Sequence, residues 1–151
     1  MYNKIKIKEE TFMYEFAGRF NRKDLIIKEF DYWILLLRPV PVTIGSCIIL
    51  LKRECPTLTE VTKDEMAEFS EVCKLFEERC KSLYGAVKFN YHANMMKENF
   101  VHFHAIPRYD KEFEKYGNKW IDKEWPTGVA MYKTEVSEEV LQEIKKDFIG
   151  E

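Results

Sequence analysis

The chain contains three histidines, and two of them, His102 and His104, stand one residue apart, just ahead of a Pro107-Arg108 pair. The alternating aromatic and branched residues around them read as a strand, in which successive side chains point to opposite faces. Phe100, His102, His104 and Ile106 then share one face, and Val101, Phe103 and Ala105 the other. Paired imidazoles at this spacing can bind a metal, cradle an anionic oxygen, or set a nucleophile beside a phosphate-holding partner. Two strand histidines without a role fit the bare spacing equally well. The third histidine, His92, falls in a second strand-like run, where alternation groups it with Asn90 and Asn94.

Several elements must hold these side chains in place. Residues 32–37 and 46–52 are apolar runs rich in branched and aromatic types, bounded by proline and glycine. They read as buried strands joined by the turn at 38–45. The clearest helix spans residues 63–83: Thr62 with Glu65 three residues later forms a capping-box signature, and Gly85 sits where a C-terminal cap belongs. Met66, Phe69, Cys73, Phe76, Cys80 and Leu83 recur at steps of three and four, with Val72 beside them, giving one apolar face. Further strands are expected at 86–93 and 101–109, a short helix at 11–22, an irregular segment at 112–126 and a closing helix at 137–148. Neither repeats nor a composition break divides the chain, so residues 1–151 read as one α+β domain.

Composition narrows the function classes. A length of 151 residues suits a single core. The 24 basic and 26 acidic residues leave a net charge of −2, which excludes the strongly basic footprint of a nucleic-acid binder. Eleven Phe, eight Tyr and three Trp argue against disorder. The four cysteines contain no C-x-x-C pair and no zinc-finger spacing to histidine. Cys47, Cys73 and Cys80 read as core residues, and Cys55, ahead of Pro56, as the exposed thiol. Arg38, Pro39 and Pro41 interrupt the longest apolar region, so it is not a membrane span. With no signal-peptide pattern at the start, the expectation is a reduced, cytoplasmic protein that engages neither nucleic acid nor membrane.

The run from Asn99 to Tyr109, with His102, His104, Pro107 and Arg108, resembles the signature strand of the histidine triad (HIT) nucleotide-binding family. Other pieces follow in the family's order. Phe16, Ala17 and Gly18 resemble the entry segment, and residues 27–31 the acid-containing first strand. Residues 41–53 are similar to the Pro…Gly-His hairpin, and residues 89–94 to the Asn-x-Gly-x-Asn strand. The resemblance covers roughly residues 13–109 and leaves 110–151 as a C-terminal tail, in which Trp120 to Pro126 looks like a feature of some bacterial members. Phe100 stands where the first triad histidine belongs, Ser46 where the hairpin has histidine, and Leu51 where it usually has proline.

The resemblance implies a HIT-like fold: an antiparallel sheet of about five strands, one long helix and shorter terminal helices. It implies a hydrolase or transferase that cleaves a nucleoside phosphoanhydride or phosphoramidate, such as a dinucleoside polyphosphate, without a cofactor or metal. His102 inherits the nucleophile's place and His104 that of the phosphate contact, the nucleophile's ring being oriented by a backbone carbonyl. Asn94, Lys97 and Asn99 fall at phosphate-side positions, Ser46 at the hairpin position, and Ile27 and Phe30 beside the base. His92 replaces a glycine and is expected to lean toward the phosphate. A homodimer joined through the long helix and a central strand is also implied. The competing readings are a mononucleotide-binding module without turnover, and a cupin-like metal site on the two histidines.

Overall fold

The computed structural model describes residue 18 and residues 20–150. Among the described residues, seven strands and two α-helices follow a short 3-10 turn at Lys23–Leu25: β1 (Ile26–Glu29), β2 (Trp33–Leu37), β3 (Cys47–Leu51), α1 (Lys63–Tyr84), β4 (Lys88–His92), β5 (His102–Arg108), β6 (Phe113–Lys115), β7 (Asn118–Trp120) and α2 (Glu138–Ile149), with a second 3-10 turn at Leu58–Glu60. Most of the helix expected at 11–22 lies outside the described residues. β1 to β5 form one antiparallel sheet in the order β1-β2-β3-β5-β4.

The unbroken apolar runs of β2 and β3 are buried at every position because both faces of the sheet are covered. Trp33, Leu35, Leu37, Cys47, Ile49 and Leu51 face the helices, joining Val72, Phe76, Leu141 and Phe148 in the main core. Ile34, Leu36, Ile48 and Leu50 face the opposite way, with Phe20 and Phe100. This second, smaller cluster is the one that surrounds the histidines.

α1 begins where the capping signature placed it. Thr62 accepts from the Glu65 N–H, Glu65 accepts from the Thr62 N–H, and Gly85 closes the helix in the left-handed region at φ 74°. Its buried face differs from the expected stripe: Val72, Phe76, Cys80 and Tyr84 lie at the centre, whereas Met66 is exposed. The first turn is held to the sheet through its backbone, since Trp33 Nε1 donates to the Glu65 carbonyl at 2.7 Å. Where α1 crosses the 38–45 turn, Gly45 has φ 84°, and a Cβ there would meet Cys80 Sγ at 3.1 Å.

Glu65 also binds Arg53 in a fork, Nε to Oε2 and Nη2 to Oε1, both at 2.8 Å. The guanidinium holds this buried carboxyl down at about 2. Because the folded value is depressed, this stabilisation is complete above the ordinary carboxylate range and is lost as pH falls from about 4.5 toward about 2. Acid unfolding of a Glu65→Gln variant should therefore show a shallower loss of stability across that window than the parent, read by denaturant titration at stepped pH.

Two sequence expectations are corrected. Segment 112–126 is not wholly irregular: β6 and β7 form a hairpin through Tyr116 and Gly117, both at positive φ, 57° and 74°. Cys55 is not an exposed thiol but 1% exposed, because its carbonyl accepts from the Val101 N–H at 2.7 Å and ties the 52–57 segment against the start of β5. Cys47 and Cys80 are buried as expected and Cys73 half-buried. Among the described residues no helix is long and apolar enough to cross a membrane.

Candidate functional site

His102 and His104 lie on the sheet face opposite the helices. β5 is the fourth strand of the sheet, so it presents them between β3 and β4: His102 pairs with Leu50, and His104 with both Ile48 and His92. The two rings are 5.2 Å apart between centroids and nearly perpendicular, at 81°. Phe20 packs against both, at 5.2 Å from His102 and 5.7 Å from His104, and Phe100 is 5.0 Å from His102. The imidazoles are thereby reduced to 1% and 5% exposure.

A polar contact orients the His102 ring, Nδ1 to the Phe100 carbonyl at 2.8 Å. A carbonyl can only accept, so Nδ1 carries a proton, and in the neutral ring Nε2 keeps its lone pair. The side chain at position 100 takes no part in this bond. Phenylalanine there supplies the same carbonyl as any other residue and adds an aromatic wall.

The other expected site residues divide sharply. His92 is half-buried on the histidine face, directly across the strand pair from His104. Asn94, Lys97 and Asn99 are exposed on the loop that feeds β5, at the His102 end of the strand. Ser46 does not offer its hydroxyl to the site. It donates to the Thr43 carbonyl at 2.7 Å and accepts from the Val42 and Thr43 N–H groups, closing the turn. Ile27 and Phe30 are not brought to the histidines either, since both pack with the helix-side core. The pairing slips between Ile26 and Lys28, and Ile26 is the residue that joins the histidine-side cluster.

At the far end of the same β5 face, Arg108 is buried in a fork with Asp122, Nε to Oδ2 at 2.6 Å and Nη2 to Oδ1 at 3.0 Å. Its Nη1 donates to Asn90 Oδ1 at 2.7 Å, and the Tyr109 N–H donates to Asp122 at 3.2 Å. This network fastens the segment after β7 to β4 and β5. No cluster of three or more His, Cys, Asp or Glu side chains suited to a metal occurs among the described residues.

The sequence reading missed Phe20 as a cover for the histidines. It also missed a hollow of about 220 Å³ beside that ring, lined by Phe20, Arg38, Pro39, Val40 and Lys133. Neither cation was placed there from the sequence: Arg38 reads as the first residue of the turn, although it continues the β2 alternation of Ile34 and Leu36, and the approach of Lys133 depends on a contact between distant segments. Exposure orders the three imidazoles chemically: with diethyl pyrocarbonate, His92 should react first, and His102 and His104 at least about tenfold more slowly. Peptide mapping after partial modification checks this, and Phe20→Ala should narrow the gap.

An antiparallel five-stranded sheet with helices on one face and a histidine pair on the other defines a histidine-triad-type α+β fold. The HIT domain model matches residues 19–111, more than half of the chain, and the protein belongs to this family. Solved structures agree on the fold. A Zn-bound histidine triad family protein from Mycobacterium smegmatis has 16% identity and a TM-score of 0.64, over 93% of this chain and 92% of that one. A hypothetical histidine triad nucleotide-binding protein from Sulfolobus tokodaii has 20% identity and a TM-score of 0.63, over 93% and 91%. The Caenorhabditis elegans NitFhit protein has 20% identity and a TM-score of 0.60 over 84% of this chain, which spans only 27% of NitFhit. A comparison with curated proteins gives no match. Family membership supports a nucleotide-binding function of the hydrolase or transferase kind.

Proposed function

We propose that the protein cleaves a nucleoside phosphoanhydride or phosphoramidate at the α-phosphate through a nucleotidyl intermediate on His102. The observation that carries this reading is the 2.8 Å bond from His102 Nδ1 to the Phe100 carbonyl, which leaves Nε2 as the nucleophile. The Nε2 lone pair forms a bond to phosphorus while the P–O or P–N bond breaks, and the leaving group departs with the electron pair and takes up a proton. Water then attacks phosphorus, the P–Nε2 bond breaks, and a proton is released to solvent. His104 faces the non-bridging oxygens, where a protonated ring stabilises the charge that grows in the transition state. Asn94, Lys97 and Asn99 close over the phosphate from the β5 loop, and His92 approaches it from β4. Ile26 takes the base-side place first given to Ile27.

Mass spectrometry of protein mixed with adenosine phosphoramidate or a diadenosine polyphosphate tests the reading. The expected result is a nucleotidyl adduct on His102 that disappears in His102→Ala. The burial of both imidazoles favours a second reading, a mononucleotide-binding module without turnover. Affinity with neither adduct nor product across the substrate panel establishes that module instead. As partner we propose a second copy of the chain, joined through α1 and the sheet, where β4 is an edge strand. Light scattering at micromolar concentration should give twice the chain mass, and a monomer overturns this part.

A further inference from the structure

We propose that His92 is the acid–base residue of the cleavage, giving a proton to the leaving group and taking one back from water. This rests on the reading of His102 as nucleophile and goes beyond it by assigning the proton transfers to a side chain. The placement of His92 follows from its strand. Phe89 and Tyr91 turn toward the helices, where they pack on Phe76 at 5.7 and 6.2 Å between ring centroids. Alternation therefore sends Asn90 and His92 to the opposite face. Asn90 lies on that side, since its Oδ1 accepts from Arg108, which shares the β5 face of His102 and His104. The β4–β5 register then sets His92 directly opposite His104. Side chains so paired are close neighbours, and one phosphoryl group can meet both strands.

The surroundings favour this side chain as the proton carrier. Toward β3 the two buried rings meet Ile48 and Leu50, and Phe20 and Phe100 pack over them. None of these four side chains has a proton to give. His102 and His104 are 1% and 5% exposed, whereas His92 is half-buried, so water can recharge it between turnovers. The amides of Asn94 and Asn99 hold oxygen without ionising, while an imidazole exchanges protons readily near neutral pH. In the first step Nε2 of His102 bonds to phosphorus and the P–N or P–O bond breaks. The departing atom keeps the electron pair and takes the His92 proton, which leaves His92 neutral. In the second step water bonds to phosphorus and gives one proton to His92, and the P–Nε2 electron pair returns to His102. The other water proton stays as P–OH and ionises to solvent near neutral pH. The anionic oxygens of the substrate, held between His92 and His104, offset the charge of both rings.

Two probes that differ in their leaving group test the role. Adenosine 5′-phosphoramidate releases ammonia, which departs only with a proton. The p-nitrophenyl ester of adenosine 5′-monophosphate releases p-nitrophenolate, which is stable as the anion. His92→Gln should lower kcat/KM about a hundredfold for the phosphoramidate and less than about threefold for the ester, because kcat/KM stops at loss of the leaving group. With the ester, the variant should also build up the His102 adduct, since water now attacks without its base. The burst of p-nitrophenolate counts competent protein and normalises both rates, so partial misfolding does not imitate the result. Lys97→Gln, which removes a phosphate contact from the loop, should lower both probes alike. An equal fall for both probes in His92→Gln overturns the proposal, as does a phosphoramidate-selective fall in Lys97→Gln. A His102 adduct in the parent leaves the nucleophile reading intact in either case. Absence of an adduct with both probes in the parent overturns the two together.

Discussion

His102→Ala is expected to lower turnover by at least about a thousandfold, the scale on which loss of a covalent nucleophile is felt. The loss should lie in kcat, because the imidazole forms its bond to phosphorus only after the substrate has docked. Destabilisation should be modest by comparison. The substitution removes the Nδ1–H that the Phe100 carbonyl receives at 2.8 Å, and loss of one partner of a buried hydrogen bond costs about 1–3 kcal/mol. Circular dichroism and a denaturant titration separate that cost from the catalytic defect. His104→Gln is the contrasting case. It removes a ring placed to meet oxygen rather than phosphorus, and the expected loss is nearer a hundredfold. The adduct on His102 should still form in that variant, but more slowly. Equal defects in the two variants would place the nucleophile elsewhere.

Asp122→Ala should produce the largest loss of stability, about 3–5 kcal/mol, because it leaves a guanidinium buried without its counter-charge. The fork between Arg108 and Asp122 is almost sealed, with side-chain exposures of 4% and 0%. Asp122 also accepts from the Tyr109 and Glu124 N–H groups, so four donors lose their acceptor at once. The double variant Arg108→Met with Asp122→Leu removes both charges and should recover most of the loss. If the single variant does not fold, the soluble double variant still carries the test. Recovery identifies the stranded charge as the cause, whereas a double variant as unstable as the single one assigns the loss to packing of the 121–129 segment.

Features written in short-range chemistry were legible before the structure. The Thr62–Glu65 box, the Gly85 terminus and the buried runs of β2 and β3 each depend on residues a few positions apart. The shared face of His102 and His104 follows from strand alternation alone. Features set by contacts between distant segments were not legible. Cys55 was placed in solvent because Pro56 suggests a loop, yet a bond from Val101 buries it. Ile27 was expected beside the base from the resemblance alone, and a resemblance does not report the slip in the β1–β2 pairing beside which Ile27 packs into the helix-side core. Met66 fits the helical period yet is exposed, and periodicity alone does not report how far along a helix the neighbouring elements cover its apolar face. The β6–β7 hairpin was missed because its turn pairs Gly117 with a tyrosine at positive φ, a residue seldom found there.

The aromatic box around the histidines has a spectroscopic consequence. With only three histidines in the chain, a proton NMR spectrum of the imidazole region is sparse enough to read residue by residue. Ring currents from Phe20 and Phe100, at 5.2 and 5.0 Å, should move the His102 carbon-bound protons away from those of half-exposed His92. The buried Nδ1–H, held on a carbonyl, should exchange slowly enough with solvent to give its own downfield line. That line makes His102 its own reporter. Its disappearance or shift on adding a nucleotide follows the nucleophile directly, whether or not a product is ever released.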